Sequence, residues 1–215
     1  MLQYAALYIV WGLLNTHIYC ISMAYNIKDV FYLDTSATVT KNTAGGGSAQ
    51  LDLSAYIDPI ARGRTKGTGL AIYKVHYSVL NSETANIVAP NPDEVGIMTI
   101  SLQAGLGIGD QATGGFTTDT TSGGFAADNN LLVSAATYYG PASILSGAAS
   151  PHPTEYMGPS KDVPYVIVRD NVCLVYNVDA ASKMVDTSVV AVRLECAQIT
   201  LDQATLNQLL RTQTV

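Results

Sequence analysis

The chain has 215 residues, of which 48% are apolar and only 13% charged, and its formal net charge is −6. That length and apolar share suit a single large domain. The negative balance argues against broad phosphate or nucleic-acid binding, which needs clustered Lys and Arg.

Residues 1–27 contain no Asp, Glu, Lys or Arg. The apolar core at 4–14 is short for a bilayer span, and extending it to Met23 admits Asn15, Thr16 and His17. A secretory signal needs a positive leading segment, which is missing here. Residues 1–22 therefore read as an apolar extension: a membrane-facing helix, an arm covered by neighbouring subunits, or a stretch upstream of a natural start at Met23. Residues 23–215 read as one domain.

From residue 28 onward, apolar residues alternate with polar ones, which is the signature of half-buried strands. Residues 30–33 open the series. Segment 49–57 puts Leu51, Leu53, Ala55 and Ile57 on one face, with Asp52, Ser54 and Tyr56 opposite. Segment 70–80 puts Ala71, Tyr73, Val75, Tyr77 and Val79 inward, with Lys74, His76 and Ser78 outward. Strands are also expected at 95–104 and 130–139. Residues 164–168 and 172–178 flank Arg169-Asp170-Asn171, which predicts a tight hairpin holding two consecutive strands in one sheet. Segment 188–199 sets Val190, Val192, Leu194 and Cys196 against Arg193 and Glu195. The total is about eight strands with no βαβ alternation, so the expected class is an all-β antiparallel sandwich. One helix is expected at the end. Thr200 and Gln203 suggest its capping box, Leu206, Leu209 and Leu210 its apolar stripe, and Arg211 its basic last turn.

Long polar loops are expected at 41–48, 105–129 and 140–162, and loops of this length are usually functional or ordered by a partner. Inside the second, "GGFTTDTTS" approaches a calcium β-roll repeat. It has Thr117 where that repeat needs glycine and Thr121 where it needs a large apolar residue. "GLGIGD" at 105–110 lacks the following helix that a dinucleotide fingerprint requires. His17, His76 and His152 are scattered, and no serine sits in a nucleophile elbow. Cys20, Cys173 and Cys196 make neither a disulfide framework nor a zinc pattern; the last two lie in apolar runs and read as buried thiols suited to a reducing cytosol. No catalytic residue, cofactor or metal site is expected.

Charge is unevenly spread. No Lys or Arg lies between Lys74 and Lys161, while Glu83, Asp93, Glu94, Asp110, Asp119, Asp128 and Glu155 do. The one basic cluster is Arg62, Arg64 and Lys66, too small to bind nucleic acid strongly and better suited to ion pairs between subunits. A surface this poor in charge is costly for a free monomer, because charge keeps proteins apart. There are 13 tyrosines against 3 phenylalanines and 1 tryptophan, and tyrosine favours wet, adaptable interfaces. Tyr138, Tyr139, Tyr156 and Tyr165 flank the long loops and are the expected interface anchors.

In style and length, "LDLSAYIDPIARGRTKGTGLAIYKVHYSVLNSETA" (51–85) and "VVAVRLECAQITLDQATLNQLL" (189–210) resemble single jelly-roll major capsid proteins of tailless icosahedral viruses of bacteria or archaea. The resemblance implies a jelly-roll sandwich standing in an icosahedral shell, self-association into capsomers and shell, contact with other capsid proteins, and no catalysis. Residues 1–22 would then face an internal membrane, and the virion would assemble in the host cytoplasm. The alternative reading is a secreted or surface β-sandwich that binds glycans through Tyr and Asp at a loop-end site.

Overall fold

The computed structural model describes residues 30–58, 66–85, 97–104, 131–139, 153–179, 183–184 and 186–213. The expected extension at 1–22 and the loop at 105–129 with its GGFTTDTTS stretch lie outside them. The elements in chain order are β1 (Phe31–Val39), β2 (Gly45–Asp52), β3 (Lys66–Asn81), β4 (Ile97–Ala104), β5 (Leu132–Tyr139), β6 (Pro153–Met157), β7 (Tyr165–Ile167), β8 (Asn171–Val178), β9 (Ser188–Asp202) and α1 (Gln203–Thr212). None of the described helical residues forms a helix long and apolar enough to cross a membrane.

The strands form two antiparallel sheets, ordered β1-β9-β3-β7 and β2-β8-β4-β5-β6. The pairing is nested. The first strand lies beside the last, β2 beside β8, β3 beside β7, and β4 beside β5. The chain is thus one long hairpin rolled up, with β9 also against β3 and β8 against β4. This is the jelly-roll order. It overturns the expected hairpin at Arg169-Asp170-Asn171, because β7 and β8 stand in opposite sheets. β7 is only three residues long and pairs with Leu70, Ala71 and Ile72. β8 is apolar on both faces and is drawn between β2 and β4. The Asp170 carbonyl accepts from the Leu53 amide at 2.6 Å, tying the crossing segment to the end of β2.

The core lies between the sheets. Leu70, Ile72, Val75, Val79, Val190, Val192, Leu194 and Cys196 meet Met98, Ile100, Leu102, Tyr138, Val172, Leu174 and Val178. β9 alternates as its sequence predicts. β3 does not, because its register with β9 breaks between Ile72 and Lys74. The extra residue, Tyr73, moves every later side chain to the other phase. Leu70 and Ile72 face the core before the bulge, and Val75 and Val79 face it afterwards. Ala71, expected to share their face, packs in a second cluster with Val168, Ile199, Leu201 and Leu206, and Tyr73 packs against that cluster.

Segment 49–57 also departs from a continuous strand. Asp52 Oδ1 accepts from the Ser54 amide at 2.8 Å, and the Tyr56 and Ile57 amides turn back to the Leu53 carbonyl. Such an aspartate turn competes with strand extension. Leu53 and Ile57 still reach the core, but Ala55 is exposed. Tyr56 stacks on Phe31 with centroids 5.0 Å apart.

The second cluster exists because α1 covers part of the first sheet's outer surface. Its cap is Asp202, which accepts from the Thr205 amide at 2.8 Å. Thr200, the expected cap, is still in β9 opposite Thr68. The helix begins where the strand pairing stops. Leu206 is buried, and Leu209 and Leu210 pack beside it. Gly67 and Gly69 leave room: a Cβ at the first would stand 3.0 Å from Leu206 Cδ1, and at the second 2.9 Å from Leu201 Cδ1. Buried Gln213 locks the far end. Its amide donates to the Val166 carbonyl at 2.7 Å and accepts from the Val168 amide at 3.2 Å. The Arg169 guanidinium donates to the Gln213 carbonyl.

Two substitutions test this docking in urea titrations. Leu206→Ala empties a packed site and lowers stability by about 2–5 kcal/mol. Gln213→Ala leaves the Val166 and Val168 backbone groups unpaired and lowers it by about 1–3 kcal/mol, with a falling midpoint and an unchanged slope.

Candidate functional site

The three strands β1, β9 and β3 place polar residues side by side on the face turned away from the core. Register pairs Tyr32 with Glu195 and Glu195 with Lys74. The next outward row pairs Asp34 with Arg193 and Arg193 with His76. Each residue points outward because its strand neighbours face the core. Of these, Tyr32, Asp34, His76, Arg193 and Glu195 line a groove of about 520 Å³ together with Ser78 and Ala191. Tyr32 is 59% exposed on it.

His76 Nε2 lies 2.8 Å from Glu195 Oε1. A carboxylate only accepts, so Nε2 carries the proton. This hydrogen bond is the main reason the Glu195 carboxyl is held below its ordinary pKa; the charges of His76, Lys74 and Lys161 act the same way, and partial burial opposes them. Asp34 and Arg193 face each other in register and are both exposed, yet neither joins an ion pair among the described residues. The groove therefore offers a carboxylate and a guanidinium free to engage a partner, beside an aromatic ring. No group of three metal-ligating side chains occurs among the described residues.

The residues singled out from sequence are dispersed. Arg62 and Arg64 lie outside the described residues. Lys66 opens β3, exposed, and stands opposite Asp202 in register. Asp202 is held below its ordinary pKa chiefly by the Thr205 amide, with Lys66 adding a little. Tyr138 is 0% exposed, so its ring belongs to the sandwich core and offers no surface to a second copy. Burial pushes its phenol up to about 12, and its hydroxyl finds no hydrogen-bond partner among the described residues. The expected anchoring role fails there because Tyr138 has the parity of Met98 and Ile100 across the β4–β5 ladder, which points it inward. Tyr139, its neighbour, is 57% exposed. Tyr165 is half-buried on β7, and burial pushes it up to about 12 against the opposing charge of Arg169. Tyr156 lies in β6, and its side chain is outside the described set.

The outward assignment of Lys74, His76, Arg193 and Glu195 was legible from period-two alternation. Their assembly with Tyr32 and Asp34 was not, because sequence does not say that β9 lies between β1 and β3.

Both Glu195 and Asp202 have folded pKa values below their ordinary 4.5 and 3.8. Their contributions to stability are whole above those ordinary values and vanish as pH falls through the lower folded ones. In thermal melts from neutral pH downward, Glu195→Gln and Asp202→Asn are each expected to lower Tm at neutral pH and to flatten its decline in acid. A variant as acid-sensitive as the parent protein overturns the assignment.

No protein-family model and no curated protein sequence matches the chain. Among solved structures it is similar to the Trichodysplasia spinulosa-associated polyomavirus VP1 in complex with GM1 oligosaccharide, at 8% identity and a TM-score of 0.43, covering 81% of this chain and 95% of that one. Merkel Cell Polyomavirus VP1 in complex with disialyllactose is similar at 6% identity and a TM-score of 0.38, covering 81% of this chain and 96% of that one. Turnip Yellow Mosaic Virus follows at 13% identity and a TM-score of 0.26, covering 80% and 94%.

Proposed function

We propose that this chain is a structural virion protein whose copies assemble into an icosahedral shell. The observation that carries the reading is a jelly-roll sandwich built from a chain unusually poor in charged residues. Only 13% of residues are charged, and Val30, Tyr32, Tyr139 and Val163 stand exposed. Such an exterior favours contact with copies over solvation. The jelly roll offers flat sheet faces and open edges for that contact, and it is an architecture that capsid domains use. A shell role needs no catalysis. The buried free thiols of Cys173 and Cys196, both pushed up to about 12, support assembly in a reducing cytosol. A virus of bacteria or archaea, with residues 1–22 against an internal membrane, is the finer form of the proposal and rests on sequence style alone.

In that shell Arg62, Arg64 and Lys66 meet an acidic edge of the adjacent subunit, and Tyr139 and Tyr165 supply contact area. Light scattering after size exclusion, with electron microscopy, is expected to show particles or large oligomers as concentration rises. A protein that stays monomeric at millimolar concentration overturns the proposal. Replacing Arg62 and Arg64 with Glu is expected to block assembly with the fold intact; unchanged assembly removes those residues from the contact.

The second reading, a glycan-binding sandwich, is favoured by one feature: the groove puts the exposed Tyr32 ring beside the Asp34 carboxylate. Saturation-transfer NMR on a strict monomer, with sugar signals lost in Tyr32→Ala, is the result that selects it.

A further inference from the structure

We propose that the outer face of β1, β9 and β3 is where a second copy of this chain docks, about a twofold axis running across the strands. The inference rests on the shell reading and assigns one of its contacts.

The face carries two acids and two permanently charged bases, Asp34 and Glu195 against Lys74 and Arg193, with His76 in the third column held by Glu195. A face of one sign would repel its own copy; this one is neutral in sum and alternates in sign along β9. Its geometry also suits only one orientation. A twofold axis parallel to the strands sets Glu195 against Glu195. An axis across them, passing between the two rows, exchanges the rows and keeps the columns. Glu195 then meets Arg193 of the second copy, and Arg193 meets its Glu195. Tyr32 meets Asp34, where a phenol donates to a carboxylate, and on β3 Lys74 meets His76, a column without opposite charges. Every contact occurs twice, as an isologous interface requires.

The state of the single copy agrees with this. Arg193 and Asp34 make no ion pair among the described residues, and Glu195 is held by His76 through Oε1, which leaves Oε2 for the second copy's Arg193. The groove of about 520 Å³ lies where the facing side chains enter. Tyr and Arg are the residue types on which binding energy concentrates once surrounding contacts exclude water. An exposed ion pair by itself contributes little, but two reciprocal pairs covered at the centre of a contact are coupled more strongly and reject wrong orientations.

The test is a charge exchange between two variants of the full chain, Arg193→Glu and Glu195→Arg, followed by analytical ultracentrifugation and electron microscopy. Each variant alone places like charges opposite each other in its own dimer. Its association is expected to weaken by about tenfold or more. Mixed in equal amounts, the two restore both contacts, and association returns towards that of the parent protein. Rescue on mixing cannot come from a misfolded variant. If each variant alone assembles like the parent, or if mixing restores nothing, the twofold contact is overturned while the shell reading stands. If the parent itself stays monomeric, both fall.

Discussion

The structure depends on the pairing of β9 with β1 on one side and β3 on the other. β9 is 15 residues long, and its register with β3 is maintained from Ser188 to Asp202 across one bulge. This ladder brings the end of the chain beside its beginning. Once it is set, the intermediate strands have few ways to pair without crossing, and the nested order of the jelly roll follows. The same ladder lets one strand serve both faces. Val190, Val192, Leu194 and Cys196 fill the core, while Arg193 and Glu195 form the central column of the outer groove.

The bulge at Tyr73 adapts a strand that has to serve two environments. Along its first part, β3 has apolar neighbours on both sides, the core on one and α1 on the other. Along its second part, among the described residues, only the core side is covered, and Lys74 and His76 look outward. One added residue changes the phase between these regimes without interrupting the sheet. The helix is anchored from both ends, by Asp202 at its start and by Gln213 beyond its finish. Its coverage stops short of the groove, so the first sheet is shielded at one end and open at the other.

That asymmetry links fold to function. The open end gathers Asp34, Lys74, Arg193 and Glu195 with His76 in a chain of which only 13% is charged. Sheet faces of soluble β-sandwiches are commonly solvated by scattered polar side chains. Here they are set in register so that opposite signs adjoin, which makes the face complementary to itself. The exposed apolar side chains at Val30, Tyr139 and Val163 offer further contact area.

The sequence by itself determined the class of structure and the facing of most side chains. Alternation along β9 identified its core residues and its outward Arg193 and Glu195, because a strand's period of two is a local property. The leucine stripe located the terminal helix for the same kind of reason. What only the tertiary structure decided was which strands adjoin. The separation of β7 from β8, the burial of Tyr138, the phase change at Tyr73 and the placing of Tyr32 and Asp34 beside Arg193 all depend on partners far away in the chain. Short-range turn chemistry predicted a hairpin at Arg169-Asp170-Asn171, but β8 instead pairs along both of its edges, with β2 and β4, which keeps Val172, Cys173, Leu174 and Val175 buried. The groove belongs to this second category, since strand periodicity orients a side chain and only the ladder between strands supplies its neighbours.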